Sequence, residues 1–414
     1  MAVKPKLAMI PSGYKGGASS GDLYSVLPSD GTGDFDFSRS GSATRINKDG
    51  LIETVSSNVP RLNYPLIDGK VSGCPSLLLE NSATNLISYS EELNTTWLTF
   101  RSSVTANDIV SPDGSQNAEK IIQQSGQPSS GGVYQIFTLS NSTVYTYSVF
   151  LKSGGYDFGL MRIDGGQYAW FDLSLGVVGS ISGSGSSSIE DFGNGWFRCS
   201  FTITTTSTTG EPHIYIANSD GSQTLSGADG VKGIYAWGAM LEQGYATSYI
   251  PTTTSAVTRS AETCNNSGDV NTFNDSEGVL MAEISALAND LNIEGISVSD
   301  GSNSNRVVIF KWNVSNTIRV RVGSSGTNYV NENLTLSDVT DVIKIAVKYK
   351  VNDYALWLNG VEVATSSSSE QPSGMNVLSF TNPTEAQDFY GNTKGLQVFD
   401  KALSDYQLKQ LTTI

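Results

Sequence analysis

The chain has 414 residues, a formal net charge of −15, 16% charged and 38% hydrophobic residues, and 42 glycines. That length allows two or three domains. Ser, Thr, Asn and Gly stand where a helix bundle would carry Glu, Lys and Leu, so the composition favours short strands and turns. The acidity argues against nucleic acid and anionic bilayers as partners, and no stretch approaches the 18 apolar residues of a membrane-spanning helix.

In chain order, residues 1–83 read as irregular. Gly17-Ala-Ser-Ser-Gly21 has the spelling of a nucleophile elbow, but its flanks are Gly/Ser-rich and give no strand before it and no helix after it. The first residues contain no long apolar core of a secretory signal. Turns are expected at Asp30-Gly31 and Asp49-Gly50. With only short apolar pieces between such turns, the segment is expected to serve attachment or assembly.

Residues 84–258 alternate. Tyr145, Tyr147, Val149 and Leu151 share one face, as do Phe197, Cys199, Phe201 and Ile203. Period-two runs separated by Gly, Ser, Asn and Asp predict an antiparallel β-sandwich. Cys199 is then a small core residue, Trp196 and Trp237 fill the core, and residues 179–188 form a Gly/Ser loop. Cys74, Cys199 and Cys264 form no CxxC and no disulfide framework. Residues 259–276 are polar and turn-rich and read as a linker.

Residues 277–414 carry a second β pattern, with Ile343, Ile345, Val347 and Tyr349 on one face. Asn359-Gly360 between two strand-like runs predicts a type I′ hairpin, whose two central residues need positive φ. One short helical turn is expected at the C-terminus. Ser404 and Gln407 can form a capping box, and Leu403 and Leu408 occupy the hydrophobic-staple positions. The fold class is thus all-β: two sandwich or jelly-roll domains after an irregular N-terminal segment.

The chain has one histidine, His213, in a strand-like run, where it reads as half-buried. Triads and most transition-metal sites need more than that. Forty acidic residues supply carboxylate pairs such as Glu190-Asp191, but no spacing singles one out for glycoside hydrolysis. No catalytic residue is therefore assigned and no cofactor is expected, with one exception. Asp220, Asp300 and Asn303 lie in oxygen-rich turns that suit a hard cation such as Ca²⁺. Trp357, opposite in phase to Leu356 and Leu358, is expected to face outward and is the candidate for stacking against a sugar.

Several pieces resemble a known family. They begin with Phe35-Asp-Phe-Ser-Arg-Ser-Gly-Ser-Ala-Thr-Arg45, Pro60-Arg-Leu-Asn-Tyr64 and Leu77-Leu-Leu-Glu-Asn-Ser-Ala-Thr-Asn-Leu86. They continue with Gly195-Trp-Phe-Arg198, Tyr235-Ala-Trp-Gly-Ala-Met-Leu-Glu-Gln-Gly244, Ala246-Thr-Ser-Tyr-Ile-Pro-Thr252 and Val257-Thr-Arg259. In this order they resemble tailed-bacteriophage virion appendage proteins of the head- or tail-fibre type, with a carbohydrate-binding-like sandwich. Residues 355–363 and 395–405 resemble laminin-G or concanavalin A-like jelly rolls.

The resemblance implies a structural or adhesive component on the exterior of a phage particle, made in the bacterial host cytoplasm without a signal peptide. It also implies contact with other virion proteins through the N-terminal segment, homo-oligomers with trimers favoured, and binding of host surface glycans. The alternatives are a capsular polysaccharide depolymerase and a purely architectural decoration or spacer.

Overall fold

The computed structural model describes residues 4–9, 11, 35–367, 370–384 and 387–414. The sequence signals at 17–21 and 30–31 lie outside the described residues. The protein is all-β, and among the described residues the one helix is Asp405–Thr412.

The first sandwich has two six-stranded antiparallel sheets. One runs Leu98–Phe100, Gly132–Tyr134, His213–Ala217, Phe158–Arg162, Tyr168–Asp172, Val177–Ser182 in lateral order. The other runs Ser102–Ile109, Ala118–Gln123, Gly233–Gln243, Val144–Gly154, Phe197–Thr204, Ser186–Asp191. Tyr147 pairs with Phe201 and Val149 with Cys199, so the alternating faces meet in one core together with Met161, Phe171 and Ile214. The opposite face of these strands is also covered. Phe150, Trp196, Trp237, Met240 and Tyr249 form a second cluster with Ile52 from the N-terminal part.

Residues 179–188 are not a plain loop. All but residues 183–185 belong to Val177–Ser182 and Ser186–Asp191, the outer edges of the two sheets. An edge strand needs only a backbone ladder on one side, so small polar side chains do not prevent it.

The second sandwich pairs a five-stranded sheet with an eight-stranded one. The five-stranded order is Thr327–Thr335, Thr317–Ser324, Arg306–Lys311, Glu294–Ser299, Val377–Ser379. The other sheet runs Val361–Ser366, Tyr354–Leu358, Ile343–Lys350, Glu277–Ala286, Gly391–Phe399, Ser76–Leu79, Arg61–Asn63, with Leu7–Met9 also paired to Gly391–Phe399. Asn359 (φ 50°) and Gly360 (φ 80°) turn the expected hairpin. Ser404 caps the helix through the reciprocal Ser404/Gln407 box.

Two expected boundaries do not survive. The described part of 1–83 is not a separate attachment segment, because Leu7, Met9, Phe35, Phe37, Leu77 and Leu79 lie in the core of the second sandwich. Residues 259–276 are not a free linker either. Thr263–Asn265 pairs with Asp36–Ser38, and Cys264 is fully buried in that same core. These strands are three or four residues long, too short for alternation to show in the sequence.

A buried ionic network ties the pieces together. Glu262 accepts from Arg39 Nη1 at 2.6 Å and Arg61 Nε at 2.9 Å, and also from Arg61 Nη2. Glu80 receives Arg61 Nη1 at 2.7 Å, Arg259 Nη1 at 2.9 Å and Ser248 Oγ at 2.6 Å. The Glu80 backbone N–H donates to Glu262 at 2.9 Å. Burial alone would raise the Glu80 carboxyl, but Arg259 and Arg61 overcome that and hold it at about 2.

Glu242, nearby, is pushed up to about 7 by burial, offset only in part by Thr247 and Arg198. Glu294, buried beside Lys311, is likewise raised to about 7. The signs oppose. Glu80 contributes stability above the ordinary carboxyl value of 4.5, and that contribution is lost as pH falls toward 2. Glu242 and Glu294 bind their protons more tightly when folded, so stability declines as pH rises from 4.5 to about 7. At full effect each of these two is worth on the order of 3 kcal/mol. Calorimetry should therefore find the highest Tm near pH 4.5–5, several degrees above the value at pH 7.5. A Tm that is flat or rises over that interval would contradict the assignment.

Candidate functional site

Trp357 has the expected phase, yet its face of the sheet is closed. The helix Asp405–Thr412 lies over it, and Val279, Met281, Ala346, Phe399, Leu403 and Leu408 surround the indole, leaving it 7% exposed. Trp357 is thus a core residue and not a sugar platform. The staple leucines were the overlooked signal, since an amphipathic helix needs an apolar surface to cover.

The side-chain oxygens of Asp220, Asp300 and Asn303 are taken up by hydrogen bonds within the protein. The Asp220 carboxylate accepts from Ser180 N and Ser180 Oγ, both at 2.7 Å. Asp300 accepts from Ser302 N at 2.8 Å, Ser302 Oγ at 2.6 Å and Asn305 Nδ2 at 2.8 Å. Asn303 accepts from Arg306 and donates to Thr384. Protein hydrogens point at oxygens that a cation would need for itself. Among the described residues no three His, Cys, Asp or Glu side chains group in a way that could hold a metal.

His213 is buried rather than half-buried. It stacks between Tyr134 and Tyr215, with ring centroids at 4.4 and 4.6 Å. Burial, then the Arg162 guanidinium, hold it down at about 3, so it is neutral near pH 7 and unsuited to proton transfer there.

A cleft of about 550 Å³ lies between the two sandwiches. Its walls come from distant parts of the chain. Asn81, Ser82 and Thr84 stand at and beside the strand Ala83–Asn85, which pairs with Val257–Arg259. Tyr145 and Gln243 face each other across a strand pair. Gly244, at φ 88°, then turns the chain so that Tyr245 and Thr247 enter the wall. Asp290 and Asn292 close the cleft from the second sandwich.

The chemistry is mostly uncharged hydrogen bonding. Tyr245 is kept a neutral phenol, raised first by burial and then by Glu294. Thr247 is fixed by its hydroxyl donating to Glu242 at 2.6 Å and accepting from Arg259 at 3.1 Å. Asn292 Nδ2 donates to Asp290 Oδ2 at 2.6 Å. Lys311 reaches Asp290 and lies 3.3 Å from Glu294, whose Oε2 has no hydrogen bond. Leu291, on the rim between Asp290 and Asn292, holds φ 62°. A bulky residue rarely adopts that conformation, and such strain concentrates at binding sites. Tyr145 and several residues of the pieces 77–86, 235–244 and 246–252 line this wall, but the sequence assigned none of them to a ligand, because no local motif joins residues 81, 145, 243 and 290.

No family model and no curated protein matches the chain. Some solved structures overlay on it in part. The CBM40 domain of a Ruminococcus gnavus IT-sialidase, bound to α2,3-sialyllactose, is 18% identical with a TM-score of 0.30, covering 36% of this chain and 93% of that domain. Domain 4 of AbnA, a GH43 extracellular arabinanase from Geobacillus stearothermophilus in complex with arabinotriose, is 11% identical with a TM-score of 0.31, covering 41% and 82%. Domains LG4-5 of the mouse laminin α1 chain are 10% identical with a TM-score of 0.24, covering 67% and 89%. Scores this low leave the assignment of function to the chain's own geometry.

Proposed function

We propose that the protein is a non-catalytic, glycan-binding appendage of a tailed-phage particle, and that the sugar seats in the cleft between the sandwiches. The observation that carries this reading is the wall chemistry of that cleft. Its volume of about 550 Å³ falls in the ordinary range of ligand sites, about 300–1,000 Å³. A sugar offers vicinal hydroxyls that both donate and accept. Asn, Gln, Thr and neutral Tyr side chains match them without burying an unpaired charge. The face of Tyr245 can meet the apolar side of a pyranose ring.

The virion setting rests on the ordered motifs from residue 35 to residue 259. Leu7–Met9 and residues 35–83 are built into the fold, so contact with other virion proteins would run over exposed faces and not through these strands. A trimer would multiply weak individual sites into useful avidity.

The test is an array of bacterial surface polysaccharides probed with the full chain in calcium-containing buffer. A binder is expected, with at least tenfold weaker affinity in Gln243→Ala/Asn292→Ala and an unchanged Tm, since both side chains are exposed. An array without any binder would leave the spacer reading in its place. Unchanged affinity in the variant would move the site out of the cleft.

A polysaccharide depolymerase is the second reading, and one observation favours it. Glu294, raised to about 7 by burial, lies 3.3 Å from Lys311, which also reaches Asp290 in the cleft wall, and a carboxyl held above its ordinary value is what glycosidic general-acid chemistry requires. New reducing ends on incubation with the bound polysaccharide, lost in Glu294→Gln, would establish that reading over the first.

A further inference from the structure

The outer face of the five-stranded sheet carries a cationic patch that the cleft does not use. Along the strand Thr317–Ser324, Ile318, Val320 and Val322 point into the core, so Arg319 and Arg321 point out. Arg319 lies 3.7 Å from the centre of the Trp312 ring, and Arg321 lies 5.0 Å from Trp312 and 5.7 Å from Phe310. Their Nε atoms donate to Asn333 at 2.6 Å and Asn331 at 2.9 Å, residues that sit directly opposite on the neighbouring strand. Each guanidinium therefore sits beside an aromatic ring and is held through its Nε by an amide oxygen.

Neither arginine forms an ion pair with a carboxylate among the described residues, in a chain with 40 acidic and 25 basic residues. Glu332, on the adjacent strand, pairs opposite core-facing Val320 and so projects from the other face. The charge that acts on Arg319 is that of Arg321, which pushes its guanidinium down after burial does. Two like charges about 7 Å apart along one strand, stacked and unneutralised, are arranged for a ligand that brings its own anions. A planar fork on an aromatic ring is the usual means of holding a carboxylate or sulfate through two bonds.

We propose that this face is a second binding surface, separate from the cleft, for an extended acidic polysaccharide whose carboxylate or sulfate groups pair with Arg319 and Arg321. The patch lies on a sheet face and not in a cavity, which suits a polymer lying across the strands.

The full chain would be tested by affinity electrophoresis at about 50 mM salt, where such contacts are least screened. The gels would contain polygalacturonate, dextran sulfate, uncharged dextran or a single-stranded oligonucleotide. Retardation by polygalacturonate or dextran sulfate, and not by dextran, is expected, and which of the two acts names the anion. Arg319→Gln/Arg321→Gln should weaken retention at least tenfold with no change in Tm. Arg319→Lys/Arg321→Lys should restore part of it. The cleft variant Gln243→Ala/Asn292→Ala should bind these polymers as the parent does, so failure of the cleft reading and of this one are separable. No retardation by either acidic polymer, equal retention of the Gln variant, or equal binding of the oligonucleotide would overturn the proposal.

Discussion

Replacing Glu262 with alanine should destabilise the protein by about 3–5 kcal/mol. The side chain is completely buried and is the shared acceptor for Arg39 and Arg61, which are themselves buried. Removing it leaves one carboxylate, Glu80, among three guanidiniums, those of Arg39, Arg61 and Arg259. It also orphans the backbone N–H of Glu80. The cost lies in the uncompensated buried charge and not in a lost attraction, so an exposed pair gives the contrast. Lys48 and Asp49 are 2.9 Å apart but 74% and 61% exposed, and Lys48→Ala should leave stability essentially unchanged. Urea denaturation of the two variants measures both. Similar small losses in each would mean that the network is not what joins the N-terminal strands to the two sandwiches. A loss of the expected size is a large part of the total stability of an ordinary domain, about 5–15 kcal/mol.

That network also explains what the sequence motifs are for. Residues 35–45 supply Arg39, residues 60–64 supply Arg61, residues 77–86 supply Glu80, residues 246–252 supply Ser248 and residues 257–259 supply Arg259. These five of the pieces that carry the resemblance are spread over more than 200 positions, and they converge on one ionic centre. They were legible because each places a charged or hydrogen-bonding residue, Ser248 in the piece 246–252, in a fixed local frame. Their common purpose was not, because proximity across such distances leaves no trace in a single sequence. The same limit hid the cleft.

Alternation with a period of two placed Tyr147, Val149 and Cys199 in the core correctly, and Asn359-Gly360 and Ser404/Gln407 were read from local chemistry alone. Trp357 failed for the complementary reason. Its phase is a property of its own strand, whereas its exposure is decided by a helix some 50 residues further on.

The second sandwich, cut at the boundary its sequence suggests, should not fold. A fragment of residues 277–414 lacks Leu7, Met9, Phe35, Phe37, Leu77, Leu79 and Phe273, all of which lie in its core cluster. Burying each such side chain contributes about 1.5–3 kcal/mol, so their loss is on the order of 10 kcal/mol or more, comparable with everything that holds a domain together. The cut also opens the edge of Gly391–Phe399 to which Leu7–Met9 and Ser76–Leu79 pair, leaving a nine-residue strand with an unpaired edge. The fragment is expected to aggregate or to show no cooperative thermal transition by circular dichroism.

The first sandwich makes the internal control. Its main core, from Ile87 to Leu241, lies wholly within residues 84–258, and what that piece loses is the cover that Ile52 and Ala83 give to the secondary cluster and the Ala83–Arg259 end of one short strand pair. It should fold with a cooperative transition at a lowered Tm. If the 277–414 piece instead melts cooperatively on its own, the N-terminal strands are an accessory to that sheet and not part of its core.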